Sequence, residues 1–112
     1  MKKNRENQDS GNDRRPRHPG EVLKSVYLEP LGITQQDLAD HLGITRVRIN
    51  EVVLGKRAIT HDTAIRLARF FDTTVEYWLG MQSDISLWEA KKNNEEEYRK
   101  IIPFKDIIKN KQ

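Results

Sequence analysis

The sequence predicts an all-α protein, a five-helix domain followed by a C-terminal helical extension. Three observations support this prediction. Apolar residues recur three and four positions apart, threonine stands where several of these stretches begin, and glycine or aspartate follows where they end. A chain of 112 residues with 36% apolar content can build one small core, and without cysteine it has neither disulfides nor a thiolate metal site.

The first 17 residues form a hydrophilic segment. They contain no apolar residue after Met1 and hold six lysines and arginines against three acids. Nothing here can offset the entropy of ordering the chain, so we expect residues 1–17 to be a disordered basic arm. A solvated tail and an arm that contacts phosphates or a minor groove are equal alternatives for its arginines, Arg14, Arg15 and Arg17.

The folded domain is predicted over residues 18–82. Its first helix opens with the motif His18-Pro19-Gly20-Glu21, in which proline and an acid suit a helix start, and ends at Pro30 and Gly32. The apolar stripe of this helix consists of Val22, Leu23, Val26 and Tyr27.

Two short helices joined by a tight turn follow. Thr34 caps the first, and Gly43 supplies the left-handed backbone of a helix exit. Thr45 then caps a second helix at once. This order predicts a helix-turn-helix, with an inner side made by Leu38, Ala39, Leu42, Ile44, Ile49, Val52 and Val53.

The fourth and fifth helices complete the domain. Thr60 caps the fourth, and Asp72 stands where it should stop, because aspartate tolerates left-handed backbone better than most residues. Thr74 caps the fifth, predicted from Val75 to about Met81. The expected core residues of the two helices are Ala64, Leu67, Ala68, Phe71, Tyr77, Trp78 and Leu79, while Arg66 and Arg69 are expected to face outward.

Residues 83–112 are predicted to extend the domain. A separate helix should begin at Ser83 or Asp84 and weaken at Asn93-Asn94. The tail beyond it is rich in apolar residues, for which the domain's own flank, a second copy or another protein are candidate covers. We expect this region to be a dimer or partner contact; the tail residues are Ile101, Ile102, Phe104, Ile107 and Ile108.

The second helix of the helix-turn-helix carries groups that suit a DNA major groove. Arginine can bind guanine through two hydrogen bonds, asparagine can bind adenine, and a valine or threonine methyl group can touch the thymine methyl. A rotation of about 100° per residue turns Val47, Arg48 and Asn50 away from Ile49, and Arg46, in the first turn, is free to reach forward. The predicted DNA contacts on this helix are Thr45, Arg46, Val47, Arg48 and Asn50.

The cations of the domain are concentrated at this helix. Residues 18–82 carry a net charge of −1, but residues 46–57 hold four cations against Glu51 alone. A carboxylate facing phosphates needs a cation or a cytosine amine, and we expect Arg48, three residues earlier, to pair with Glu51. Lys56 and Arg57, in the following loop, are candidate phosphate contacts.

The motifs resemble those of the HigA-type antitoxins, a branch of the lambda-repressor-like helix-turn-helix family that includes virulence-associated protein I. The likeness covers about residues 18–90 and is carried by His18-Pro19-Gly20-Glu21, Glu29-Pro30-Leu31, Gly55-Lys56-Arg57, Ile59-Thr60, Thr63-Ala64, Arg66-Leu67-Ala68 and Tyr77-Trp78-Leu79. Departures from the family are Asp72 where glycine is frequent and Val75 where proline is frequent.

The resemblance implies a five-helix lambda-repressor-like fold and a homodimer that binds double-stranded operator DNA and represses its own operon. It also implies a protein partner, a HigB-like toxin of the RelE type that cleaves messenger RNA. By matching position, it places Gln35 at a phosphate contact and residues 45–48 and 50 at the bases and the adjoining backbone.

Three other functions compete with this one. A stand-alone regulator without a toxin would have the same DNA-binding domain, and a protein-binding module would use the tail and the two tryptophans. An enzyme is disfavoured, because the three histidines lack a metal-ligand spacing and no nucleophile is paired with a base. We expect no cofactor, no membrane segment and a cytoplasmic location.

Overall fold

The computed structural model describes residues 14–110, with side chains described through residue 108. Residues 1–13 of the predicted basic arm lie outside the described part. Within it every regular element is helical, so the all-α prediction is confirmed. The elements are α1 (Pro19–Val22, a π-helical stretch Leu23–Leu28, and Glu29–Leu31, without interruption), α2 (Gln35–Leu42), α3 (Arg46–Val53), α4 (His61–Phe71), α5 (Val75–Arg99) and α6 (Phe104–Asn110).

The π-helical stretch changes which residues of α1 face the core. Glu29 N–H donates to the carbonyl of Lys24, five residues back, so the turn is wider than in an α-helix. Leu23 and Leu28, five apart, are both buried, while Val26 is 46% exposed. The predicted stripe is therefore wrong at Val26, because it assumed α-helical spacing throughout.

A backbone contact sets how closely α1 approaches α3. Gly20 lies in the first turn of α1, and a Cβ atom added there would stand 1.9 Å from the carbonyl oxygen of Val52. Val52 belongs to the last turn of α3 and is buried. Only glycine allows the two backbones to meet at this distance, since a real Cβ would overlap the carbonyl.

The core lies between α1 and the four helices that follow. Trp78 is fully buried and donates its Nε1–H to the Thr73 hydroxyl at 2.8 Å. The Tyr27 ring packs between Phe71 and Trp78, with centroid distances of 4.6 and 5.4 Å. Burial and a hydrogen bond with Tyr77 raise the pKa of Tyr27 to about 12, so it stays neutral at all physiological pH values.

Helix α5 is longer than predicted. It continues without a break through Ser83, so the predicted separate start at Ser83 or Asp84 is wrong. Trp78 and Ile85, two turns apart on the same side, are both fully buried, and one continuous helix brings both to the core. The predicted weak point at Asn93-Asn94 is confirmed, because Asn94 has non-helical backbone angles of φ −130° and ψ 21°.

The apolar tail is not covered by the domain. Its five large apolar side chains are all exposed, from 41% at Ile107 to 74% at Phe104. Of the three candidate covers, the domain's own flank is therefore ruled out by the structure. Helix α6 carries three of these side chains on one face, at positions 104, 107 and 108.

Replacing Gly20 by alanine should destabilise the protein by about 1–3 kcal/mol or more, because the new methyl group overlaps a backbone carbonyl that cannot move aside. Gly80→Ala is the matched control. Gly80 lies inside α5 with open space at its Cβ position, so alanine there should leave stability equal or raise it by up to about 1 kcal/mol. Urea denaturation of both variants measures the difference. Equal stability of the two variants would contradict the close approach of α1 and α3.

Candidate nucleic-acid interface

Helices α2 and α3 and the turn between them have the geometry that the sequence predicts. The Thr34 hydroxyl accepts from the N–H of Asp37 at 3.0 Å, which starts α2. Gly43 ends it in the left-handed region, with φ 72°. The Thr45 hydroxyl then accepts from the N–H of Arg48 at 3.1 Å and starts α3. The predicted helix-turn-helix is present, and both caps lie where the sequence places them.

Helix α3 is buried on one side and open on the other. Ile49, Val52 and Val53 point into the core. On the opposite side Val47 is 65% exposed, and Arg46, in the first turn, is exposed as well. Arg46 forms no ion pair with any residue from 14 to 108, so its guanidinium is available to an external anion.

Arg48 is held by the protein itself. Its Nη2 donates to Asp62 Oδ2 at 2.8 Å and to the hydroxyl of Thr63 at 2.5 Å, and its side chain is only 26% exposed. The predicted pairing with Glu51 is wrong. Asp62 and Thr63 lie in the first turn of α4, which packs against α2, and they offer Arg48 a carboxylate and a buried hydroxyl at once.

Glu51 pairs with Arg57 instead. Its Oε1 lies 2.7 Å from Nη2 and 2.8 Å from Nε of Arg57, and its carbonyl accepts from the N–H of Lys56 at 2.8 Å. A cation does neutralise Glu51, as expected, but the cation comes from the loop because that loop folds back onto α3. Lys56 is exposed and forms no ion pair within the described residues.

The remaining predicted contacts, Gln35 and Asn50, are both half-buried at the edge of this surface. Gln35 is the first residue of α2, and its Oε1 is buried with no hydrogen-bond partner among the described residues. An unpaired buried acceptor is costly, and its amide nitrogen is the end that can donate to an external acceptor.

Sequence reasoning missed the ion-pair network behind Arg48. Arg66, predicted to face outward, donates from Nε to Asp62 Oδ2 at 2.9 Å and from Nη1 to the carbonyl of Leu42 at 2.7 Å. Hydrogen bonds from Arg48 first and Arg66 second lower the pKa of Asp62 below its usual value. The spacing of Asp62 and Arg66 on one helix signals their pairing, whereas 14 residues separate Arg48 from Asp62 and give no local signal.

His18 supports the opposite end of α3. It caps α1, with Nδ1 accepting from the N–H of Gly20 at 2.9 Å, and its ring lies within 4 Å of the position a Cβ would take at Gly55. Gly55 has φ 76° and begins the loop that carries Lys56. Burial lowers the pKa of His18, which favours the neutral imidazole that the cap needs.

Two other kinds of site, a metal site and a membrane-spanning helix, are absent from the described residues. Among residues 14–108, no three His, Asp or Glu side chains come together in a way that could hold a metal ion. No helix in the described part combines the length and apolar character required to cross a membrane.

Comparison with known proteins identifies the family. The family model described as helix-turn-helix matches residues 26–78. The chain is 37% identical over 91 residues to antitoxin HigA-1 of Vibrio cholerae, covering 81% of this chain and 86% of that protein. It is 40% identical over 93 residues to virulence-associated protein I of Dichelobacter nodosus, covering 83% and 85% of the two chains. The chain belongs to the HigA family of helix-turn-helix proteins.

A solved HigA structure agrees with this assignment. The Pseudomonas aeruginosa antitoxin HigA, solved with the higBA promoter, superposes with a TM-score of 0.77 at 37% identity. The match covers 80% of this chain and 99% of that one. The predicted family and its helix-turn-helix fold are therefore confirmed.

The His18 cap should make the stability of this HigA protein depend on pH. Its pKa is lower in the folded than in the unfolded chain, so stability is full above about pH 6.5 and falls as the pH drops from there through the folded-state pKa. Urea denaturation between pH 8 and pH 5 measures this loss. In His18→Asn the amide oxygen keeps a cap without titrating, and the part of the loss due to His18 should disappear. Identical pH profiles for the two proteins would show that His18 does not cap α1 as the neutral base.

Proposed function

We propose that this HigA protein is the antitoxin of a type II toxin-antitoxin pair. It binds operator DNA as a homodimer, represses its own operon, and neutralises a HigB-like toxin that cleaves messenger RNA. It acts in the cytoplasm without cofactor or catalytic activity. The observation that carries the DNA-binding part is the outer face of α3, where Arg46 and Val47 are exposed, together with the exposed Lys56 in the following loop, which forms no ion pair among residues 14–108.

The geometry supports an α3 that lies in the major groove. Arg46 stands in the first turn, where a recognition helix of this kind contacts base edges. Val47 and the Thr45 methyl group suit a thymine methyl, and Asn50 suits adenine. Gln35 and Lys56 lie at the start of α2 and in the loop after α3, where they can hold the phosphates on either side.

Arg57 and the three arginines that precede α1 have altered roles in this proposal. Arg57 can approach a phosphate only while it is paired with Glu51, whose negative charge offsets its own. Its attraction for phosphate is therefore weaker than that of Lys56. Arg14, Arg15 and Arg17 precede α1, and two of them already contact its first turns. Arg15 pairs with Glu21 at 3.2 Å, and Arg17 donates to the Ser25 hydroxyl at 2.6 Å. A minor-groove contact by this arm is therefore not part of the proposal.

Residues 83–112 supply the proposed dimer or partner contact. In the described part they include the distal half of α5 and all of α6, with uncovered apolar side chains along both. Isoleucine and phenylalanine at such exposure favour association with another apolar surface. A twofold dimer would place two α3 helices about 34–36 Å apart, one turn of DNA.

Replacing Arg46 by alanine should weaken binding to the DNA upstream of the chain's own gene by about 1–3 kcal/mol, and should relax the preference at one base pair of each half-site. Fluorescence anisotropy with a labelled promoter duplex measures the affinity. Lys91→Ala is the matched control, since Lys91 is an exposed cation on α5 far along the chain from α3.

Salt provides an independent check on this binding. If the dimer makes about 6–10 phosphate contacts, affinity should fall about 10³–10⁵-fold between 50 and 200 mM salt. Equal affinity of Arg46→Ala, Lys91→Ala and the unaltered protein for specific and unrelated duplexes would refute the proposed interface.

Replacing Ile101 and Phe104 together by aspartate should abolish the contact made by the tail, because charged groups would be buried without partners. The molar mass measured by light scattering should fall from twice 13.1 kDa to 13.1 kDa, or capture of the co-expressed neighbouring gene product should be lost. Leu31→Asp, at an exposed leucine of α1, is the control and should change neither property.

The same co-expression tests the antitoxin role. The unaltered protein should restore growth when the adjacent gene product is produced, and should purify with it. An adjacent product that is harmless and unbound would leave a stand-alone regulator. Unchanged mass and unchanged capture in the doubly substituted protein would refute the assignment of the tail.

A further inference from the structure

The guanidinium of Arg48 is bound in a way that limits what else it can contact. Arginine carries five N–H donors, and its two-bond contacts use either the Nη1 and Nη2 pair or the Nε and Nη2 pair. Both pairs include Nη2. In this structure Nη2 already donates to two acceptors, Asp62 Oδ2 and the hydroxyl of Thr63.

The carboxylate that binds Arg48 is itself fixed in place. Asp62 also accepts from Nε of Arg66, and Arg66 bonds the last carbonyl of α2, at Leu42. Arg48 comes from α3, so the four residues connect α2, α3 and α4 through charged hydrogen bonds. The lowered pKa of Asp62 keeps its carboxylate ionised near neutral pH.

The second acceptor is equally fixed. Thr63 is 1% exposed, its N–H donates to the Thr60 hydroxyl at 3.2 Å, and the two hydroxyls lie 3.3 Å apart. A buried hydroxyl in a capped helix start has little freedom to turn away. Arg48 is therefore bound by two groups that belong to the rigid first turn of α4.

We propose that Asp62 determines the DNA specificity of this protein, by holding Arg48 so that it contacts the DNA backbone and not a base edge. This inference rests on the proposed DNA-binding function. With Nη2 occupied, Arg48 offers only single hydrogen bonds from Nε and Nη1, which suit a phosphate oxygen. The two-bond recognition of guanine O6 and N7 falls to Arg46 instead.

The two arginines, to which sequence reasoning assigned equal roles, have different roles in this proposal. Arg46 and Arg48 lie two residues apart on α3, but only Arg48 is within reach of a carboxylate from α4. Asp62 is thus a positioning residue that acts through Arg48. Its removal should free the guanidinium to bind one additional guanine in each half-site.

Selection from a pool of randomised DNA duplexes tests the role of Asp62. The variants are Arg48→Ala, Asp62→Ala and the double substitution. Asp40→Ala is the control, because Asp40 is an exposed aspartate of α2 whose carboxylate bonds only Gln36 among the described residues. Arg48→Ala should bind all selected sequences more weakly by one common factor, with an unchanged base profile. Asp62→Ala should gain a preference of about tenfold for guanine at one position, and the double variant should lose that gain.

Each outcome bears on the proposal. A base preference lost in Arg48→Ala would show that Arg48 contacts a base in the unaltered protein. An unchanged base profile in Asp62→Ala would show that the carboxylate has no effect on specificity. Either result overturns the proposal. If thermal melting shows that Asp62→Ala folds poorly, Asp62→Asn replaces it. Asp62→Asn keeps the shape of the side chain but removes its charge, and it should shift the base preference in the same direction by a smaller amount. No enrichment by the unaltered protein would refute the proposed DNA binding itself.

Discussion

The orientation of α3 depends on the contact between Gly20 and the carbonyl of Val52. This contact fixes the last turn of α3 against α1, and it therefore sets the direction in which the first turn of α3 points. His18 adds to the same end of α3, because it caps α1 and packs on Gly55 directly beyond α3. The motif His18-Pro19-Gly20-Glu21 thus supports the candidate DNA surface without being part of it.

Charged groups fix the other end of α3. Arg48 joins it to the start of α4, and Arg66 joins α4 to the end of α2. Exposed ion pairs contribute little to stability, so their importance here is geometric. They leave Arg46 as the arginine of α3 without an ion pair in residues 14–108, and they pair the negative charge of Asp62 with two arginines.

Much of this fold was predictable because its signals are local. A threonine cap or a left-handed residue such as Gly43 or Asp72 acts within four residues, and all four predicted threonine caps are present. The errors have longer range. The π-helical stretch that exposes Val26 has no distinct residue pattern, and the pairing of Arg48 with Asp62 follows from the packing of two helices, which spacing along the chain does not reveal.

The candidate site likewise has some features that local helix geometry sets and others that the tertiary structure sets. Val47 was predictable as outward-facing because helical rotation alone sets its direction, and Arg46 was predictable as accessible because it lies in the first turn of α3. The partner of Glu51 was not, since Arg48 and Arg57 are both close in sequence and only the path of the loop decides between them. Which cations of this surface the protein pairs internally is therefore a property that the tertiary structure sets.

The uncovered tail limits how such a protein would associate. Burying one isoleucine or phenylalanine side chain fully stabilises a complex by about 1.5–3 kcal/mol, and in a dimer each of the two tails contributes five large apolar side chains that are only 41–74% exposed beforehand. Association costs about 4–15 kcal/mol in lost translational and rotational freedom, which is of the same order. A dimer formed by the tail alone would therefore be weak and concentration-dependent. Two half-sites on one duplex would raise the effective concentration of the second subunit, so DNA binding and tail association would strengthen each other.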